Sequence, residues 1–300
     1  MSRNWEDVFC TWGKPPSQTE QDKADNAETA IRKALKASTK LCALPLEVFA
    51  QGSYKNRTNV RQDSDVDICV LYKQAFFTNY GSSEGLNRDN TGVSDSEYTY
   101  AEFKNEVGAA LIDYFGSDFV TKGNKAFDIH KNAYRIDADV VPCFEHRRYV
   151  GKPGSYYYEA GTELRPDNGG SIINWPKQNY DNGVAKNGRT ARQFKAMTRI
   201  LKRLRYELID EGYAIAESTP SYVLECLAWN VPDDNLDTGS QTSDVRHTLA
   251  HLWNNTRTEA TCKEWGEVNE LKYLFRSSQP WTRQDVNSFL QAAWDYVGFE

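Results

Sequence analysis

Two acidic runs inside apolar strands constrain this chain more than anything else in it. Residues 66–72 read Val-Asp-Ile-Cys-Val-Leu-Tyr and follow Asp65; residues 134–141 read Tyr-Arg-Ile-Asp-Ala-Asp-Val-Val and stop at Pro142. Their β-branched and aromatic content predicts strands. Side chains along a strand alternate between its two faces, so Asp65 and Asp67 point the same way, as do Asp137 and Asp139. Carboxylates placed side by side in such a setting repel each other and are costly to keep unless a divalent cation neutralises them. A third carboxylate from the second strand, brought beside the first pair, would complete an oxygen-rich site for Mg²⁺ or Mn²⁺.

Upstream, residues 46–51 (Leu-Glu-Val-Phe-Ala-Gln) alternate as a strand does, and Gly52–Ser53 ends it. Glycine permits close backbone approach, and backbone N–H groups plus the Ser53 hydroxyl suit a phosphate. A phosphate cradle beside paired carboxylates is the equipment of metal-assisted phosphoryl or nucleotidyl transfer. An isolated Asp-x-Asp is usually a solvated edge or a turn, and an isolated Gly-Ser says less. The weight lies in the order: strand, Gly-Ser, a short helical spacer over 54–64, Asp-x-Asp opening a strand, then a second Asp-x-Asp strand.

Around this centre the pattern is α+β. Residues 17–38 predict a helix with Ala27, Ile31, Ala34 and Leu35 on one face. Residues 79–97 are polar and turn-rich, which predicts a surface loop. A helix is expected over 98–115, further strands near 118–121 and 126–130, and a hairpin over 145–162. Residues 166–188, frequent in Gly, Asn, Asp and Pro, read as loop. Helices are expected over 190–210, 220–230, 242–254 and 283–296. The division is a mixed α/β part, 1–165, and a helical part, 166–300, with a ligand crevice between them.

A formal charge of −6 argues against a protein built mainly to grip nucleic acid. The cysteines Cys10, Cys42, Cys69, Cys143, Cys226 and Cys262 are dispersed without CxxC spacing, which predicts reduced thiols and no zinc cluster. No run is apolar for long enough to span a bilayer, and the N-terminus lacks a signal-peptide core; both predict a cytoplasmic protein away from membranes. His247 and His251 stand i, i+4 on an expected helix with no third ligand in view, so packing or surface roles are expected. Tyr156, Tyr157 and Tyr158 read as hairpin and core material.

The run Gln-Gly-Ser-Tyr-Lys-Asn-Arg-Thr-Asn-Val-Arg-Gln-Asp-Ser-Asp-Val-Asp, residues 51–67, resembles the signature of the DNA polymerase β-like nucleotidyltransferases. Within them it is similar to the bacterial cGAS/DncV-like enzymes, in particular the branch making pyrimidine-containing cyclic dinucleotides. The resemblance spans about residues 20–280 and is sharpest at 51–72. It implies a two-lobed polymerase β-like fold, nucleoside triphosphates as substrates, and a cyclic product that activates a separate effector protein in CBASS anti-phage defence. It carries the metal-binding pair onto Asp65 and Asp67, and the third carboxylate onto Asp139, with Asp137 as the rival. Gln51, Gly52 and Ser53 fall at the nucleotide.

In the helical half, Lys195, Arg199 and Lys202 recur at i, i+4 and i+7, opposite Phe194, Met197, Leu201 and Leu204, as a basic stripe on an amphipathic helix. The stripe alone reads as a solvated face. The Thr198–Lys202 segment resembles the family helix whose last lysine reaches the triphosphate, which implicates Lys202. Residues 220–232 resemble the family's Ser-Tyr helix start. There Ser221 would meet a phosphate and Tyr222 a base, the alternative being a cap and a core residue. In this branch an Asn in the segment like Ile-Ile-Asn-Trp-Pro-Lys goes with uracil, and its amide donor and acceptor suit a pyrimidine edge; Asn174 matches it, although an Asn before Trp-Pro is also a common turn residue. No zinc-ribbon insertion of the kind used for DNA sensing by the animal cyclic GMP-AMP synthase is evident, so direct DNA binding is not expected. The expected reaction is cyclic dinucleotide synthesis from UTP with UTP or ATP. The rivals are a related transferase acting on an RNA end, a protein or a small molecule, and a catalytically idle nucleotide-binding module.

Overall fold

The computed structural model describes residues 3–60, 65–81 and 83–300; residues 61–64 of the expected spacer lie outside them. In chain order the elements are α1 (Trp5–Trp12), α2 (Gln18–Ala37), β1 (Leu46–Ala50), α3 (Gly52–Asn56), β2 (Val66–Asn79), α4 (Arg88–Thr91), α5 (Tyr100–Phe115), β3 (Val120–Lys122), β4 (Phe127–Ile129), β5 (Ala138–Lys152), β6 (Ser155–Leu164) and β7 (Ile172–Asn174). Helices follow: α6 (Pro176–Arg189), α7 (Gln193–Asp210), α8 (Ala214–Ser218), α9 (Ser221–Trp229), α10 (Gln241–Thr256), α11 (Glu259–Cys262) and α12 (Arg283–Val297). The α+β class is as the sequence predicts.

The chain forms two compact units, one of Ser17–Lys55 and Arg61–Pro176, the other of Met1–Pro16, Asn56–Val60 and Lys177–Glu300. The division after Pro176 differs from the 165/166 boundary read from composition. Trp175 is buried with the sheet unit, where a Cβ on Gly161 would come within 2.7 Å of its ring. Phe9 of α1 is fully buried in the core of the helical unit.

In the sheet unit the strand order is β1-β2-β5-β4-β3, with β6 pairing β5 and β7 pairing β6. β2 and β5 run parallel; the other pairs are antiparallel. Helix α2 takes its N-cap from Ser17 and buries Ala27, Ile31, Ala34 and Leu35, the face its periodicity marks. Helix α5 is held by a Thr99–Glu102 capping box. Its Phe103 meets Tyr72 of β2 and Phe144 of β5 at 5.7 and 5.6 Å between ring centres. Alternation then puts Asp67 and Asp139, five residues before each of these, on the opposite face.

β5 does not stop at Pro142. It runs on to Lys152, because its outer edge pairs with β4 only through Val140 and with β6 only from Phe144. Pro142 falls in the gap between those partners, where a missing N–H breaks no ladder bond. The expected loop 166–188 is also corrected: β7 and α6 occupy much of it. Pro176 is the first residue of α6, a position that suits its fixed φ and absent N–H. The buried face of α6 is Asn179, Gly183 and Lys186, a helical spacing without an apolar signal. Tertiary bonds hold it: Asn182 Nδ2 donates to the Val268 carbonyl at 2.8 Å, and Lys186 Nζ to Val231 O and Asp233 Oδ1, each at 2.7 Å.

The helical unit packs α7 and α9 around Phe194, Met197, Leu201, Leu204, Val223 and Leu227, with α10 and α12 contributing Leu249, Leu252, Phe289 and Leu290. The basic stripe of α7 is not a solvated face. Arg199 and Lys202 are 5% and 4% exposed. Arg199 donates to the carbonyls of Gly13 and Arg57. No helix among the described residues is long and apolar enough to cross a membrane.

Candidate active site

The carboxylates meet at one end of the sheet. Asp67 of β2 is in register with Asp139 of β5, and Asp139 with Asp128 of β4. Three aspartates thus form a row across three neighbouring strands. Asp65 precedes β2, and Val66 N donates to the Asp137 carbonyl at 3.0 Å, which pins that approach. The register favours Asp139 over Asp137. The Asp137 side chain is committed locally: Oδ1 accepts from Lys131 N at 2.7 Å, and Oδ2 lies 3.7 Å from Lys131 Nζ.

The electrostatics are those of uncompensated acids. Burial pushes the Asp67 carboxyl up to about 6, with Asp65 adding repulsion. Burial, a hydrogen bond to Asp128 and the charges of Asp67 and Asp65 push Asp139 up to about 7. Asp65 is raised by burial and then by Asp137 and Asp128, with Lys131 opposing. Among the described residues no three His, Cys, Asp or Glu side chains converge closely enough to form a ready-made metal cluster. Asp139 turns to Asp128, and Asp67 packs on Gly52. An oxygen-only set with this much unrelieved repulsion fits a hard divalent cation, which would draw Asp65, Asp67 and Asp139 together.

Gly52 is required where it stands. Its φ is +65°, and an added Cβ would lie 2.4 Å from Asp67 Oδ2. The preceding Gln51 N donates to the Asp67 carbonyl at 2.8 Å, which sets the Gly52–Ser53 turn against the acid row. The Gln51 Oε1 atom is buried without a hydrogen-bond partner. Tyr54, on the same short helix α3, is 2% exposed and anchors it in the sheet core.

The other expected residues divide between the units. Asn174 lies on β7 opposite Thr162 of β6, which in turn faces Glu145 of β5. Glu145 and Asp139 share parity on one strand, so Asn174 belongs to the sheet face that carries the acids. In the helical unit Ser221 opens α9, as expected. Tyr222 is 36% exposed, while its hydroxyl, with a single proton to give, lies 3.1 Å from Asn179 Oδ1 and 3.0 Å from Glu267 Oε2. Lys202 is not at a surface: Nζ donates to Thr58 O at 3.1 Å and Thr58 Oγ1 at 3.2 Å, and lies 3.6 Å from Glu225 Oε2. Burial pushes its ammonium pKa down, with Glu225 pulling the other way.

Residues 181–298 match the family model described as the cGAS/DncV-like nucleotidyltransferase C-terminal helical domain. The chain is 44% identical over 99% of its length, and 99% of the relative's, to a cyclic dipyrimidine nucleotide synthase CdnE of Legionella pneumophila. The chain belongs to the cGAS/DncV-like nucleotidyltransferases. It is also 41% identical to a synthase of the same name from Cecembia lonarensis, with all of both chains covered. The solved Rhodothermus marinus CdnE c-UMP-AMP synthase with Apcpp and Upnpp superposes with a TM-score of 0.85 at 30% identity, covering 98% of this chain and 97% of that one. The two-lobed polymerase β-like fold expected of a cGAS/DncV-like nucleotidyltransferase is therefore present.

Asp128 is the acid that reading from sequence missed. Its signal was available: Phe127-Asp128-Ile129 repeats the apolar-Asp-apolar triplet of Val66-Asp67-Ile68 and Ala138-Asp139-Val140. The expectation of surface or packing roles for the two histidines holds. His247 is exposed, and His251 is half-buried and stacked on Trp265 at 5.9 Å. All six cysteines are free thiols, four of them buried.

Proposed function

We propose that this nucleotidyltransferase makes a cyclic dinucleotide from nucleoside triphosphates, with UTP as one substrate and UTP or ATP as the other, in a reaction that needs Mg²⁺ or Mn²⁺. The observation that carries the reading is the register of Asp67 with Asp139 beside a glycine whose added Cβ would strike Asp67. The names of the Legionella pneumophila, Cecembia lonarensis and Rhodothermus marinus relatives, dipyrimidine and UMP-AMP synthases, support uridine as a component.

Asp65, Asp67 and Asp139 would hold the cation, which when bound neutralises charge on the α-phosphate and the leaving pyrophosphate. Gly52 and Ser53 present backbone N–H groups and a hydroxyl to the phosphates, the Gln51 backbone N–H on Asp67 O steadies the turn, and the unpartnered Gln51 side chain meets the nucleotide. Asp139, whose carboxylate is raised towards neutral pH, takes the proton from the attacking ribose hydroxyl. The hydroxyl of one nucleotide attacks the α-phosphate of the other and pyrophosphate leaves. The linear intermediate turns over, and the second attack closes the ring. Asn174 reads the pyrimidine edge through its amide. Ser221 contacts phosphate, and the Tyr222 ring stacks on a base. Lys202 serves the triphosphate indirectly, since its ammonium is spent on Thr58 and Glu225.

The product would act on a separate effector protein in CBASS defence, in the cytoplasm where ribonucleoside triphosphates are available. The acidic charge of −6 supports a protein that needs no DNA. The test is incubation with Mg²⁺ and all four ribonucleoside triphosphates, phosphatase digestion and mass spectrometry. A phosphatase-resistant cyclic species containing uridine is expected. A purine-only product would discard Asn174 as a pyrimidine reader, and a demand for a non-nucleotide acceptor would discard the cyclase reading.

A further inference from the structure

Behind the Gly52–Ser53 turn, the chain enters a buried polar network with Glu225 at its centre. Glu225 is 3% exposed. Its Oε1 accepts from Asn56 Nδ2 at 3.0 Å and from Asn179 Nδ2 at 3.4 Å. Its Oε2 accepts from Thr58 Oγ1 at 3.0 Å. Because Thr58 Oγ1 spends its proton on Glu225, its lone pair is free to accept from Lys202 Nζ. Every donor has one direction, and the carboxylate is acceptor-only, so the arrangement has a single consistent wiring.

Two paths lead out of the network. One is Asn56, the last residue of α3, the single helical turn that Gly52 and Ser53 begin. The other is Asn179, whose Oδ1 accepts the Tyr222 hydroxyl. Glu267 Oε2, 3.0 Å from the same hydroxyl, shares its one proton with Asn179, and Glu267 accepts further from Asn269 Nδ2 at 2.7 Å and Gln279 Nε2 at 2.7 Å.

We propose that Glu225 is a positioning residue for the nucleotide site: through Asn56 and Thr58 it holds the segment behind Gly52–Ser53, and through Asn179 it fixes the hydroxyl end of Tyr222. This rests on the reading of Gly52, Ser53 and Tyr222 as nucleotide-binding. A plain packing role would need only that these residues fill space. A positioning role needs the hydroxyl of Thr58, since that atom ties its segment to Glu225 Oε2.

The two roles separate in a pair of variants at Thr58, which is fully buried. Thr58→Val keeps the shape and removes the hydroxyl; Thr58→Ser keeps the hydroxyl and removes a methyl. Binding of non-hydrolysable UTP and ATP analogues is measured with Mg²⁺, together with KM and kcat for synthesis. Thr58→Val is expected to weaken analogue binding and raise KM by about tenfold to a hundredfold, with a smaller change in kcat. Thr58→Ser is expected to restore both. Glu225→Gln, whose new amide would face the donors already there, should act in the same direction more strongly. A Val variant that binds like the parent while the Ser variant is impaired would overturn the proposal in favour of packing. If the parent protein binds neither analogue, the nucleotide reading itself falls, a result distinct from equal binding by parent and Val variant.

Discussion

The two acidic clusters of this molecule are built on opposite principles. At the end of the sheet, Asp65, Asp67, Asp128 and Asp139 crowd one another, and their mutual repulsion adds to burial in lifting the carboxyls of Asp65, Asp67 and Asp139. In the helical unit, Glu225 and Glu267 are 3% and 4% exposed, yet each accepts several hydrogen bonds from neutral donors, and Glu225 also faces Lys202. A buried carboxylate surrounded by donors is finished. A row of half-buried and exposed carboxylates that face one another leaves its repulsion unrelieved. On the function proposed above, that difference separates acids that serve chemistry from acids that serve architecture.

The largest expected effect breaks the first cluster. Asp65→Asn with Asp67→Asn should lower synthesis at least about a thousandfold, measured as pyrophosphate release, while the thermal midpoint of the metal-free protein holds or rises because repulsion is removed. A midpoint that collapses would mean these acids are structural after all. The mirror experiment breaks the second cluster. Glu225→Leu strands Lys202 in the interior and should cost about 3–5 kcal/mol in denaturant titration; an unchanged stability would remove the contrast.

The response to pH sharpens it further. Where a folded carboxyl is raised above its unfolded value, the native state holds protons that the unfolded chain has released, so stability falls as pH rises. For Asp67 and Asp139 the window runs from about pH 4, through about 6 and about 7 where the two titrate. Metal-free protein should therefore lose thermal stability across that window. Mg²⁺ should recover it at pH 8 by a few degrees, about 1 kcal/mol or more, and should do so far less in Asp67→Asn. Equal Mg²⁺ stabilisation of both proteins would argue that the ion binds elsewhere. At Gly52, alanine brings a Cβ against Asp67 Oδ2 at a φ of +65°, and should cost about 1–3 kcal/mol together with most of the activity. The smallest change in rate is expected for Asn174→Ser, in which the product, read by mass spectrometry, should lose uridine in favour of purine.

The sheet unit was largely legible because its strands alternate and its acids interrupt apolar runs at a fixed phase. Even the unread Asp128 obeys that pattern. The helical unit hid more. Helix α6 buries Asn179, Gly183 and Lys186, so the apolar spacing that reveals α7 and α12 is missing there. Lys202 was visible as a cation on a helix, but not its partner: Thr58 and Glu225 are brought to it from remote parts of the chain, and no local pattern encodes such a meeting. Pro142 misled for a comparable reason. Proline ends a strand only where a neighbour needs its N–H, and which neighbours a strand has is a property of the assembled sheet.

The excursion of residues 56–60 into the helical unit bears on how this protein can be taken apart or shuffled. The segment matched by the family's helical-domain model, residues 181–298, looks like a self-sufficient cassette. Cut free at that boundary, it would carry Glu225 and Lys202 but leave behind Asn56, Thr58 and Asn179, the donors that make their burial tolerable. A chimera that exchanges the helical portion between relatives must therefore move Asn179 and the insert Asn56–Val60 along with it, or inherit a buried acid facing strangers.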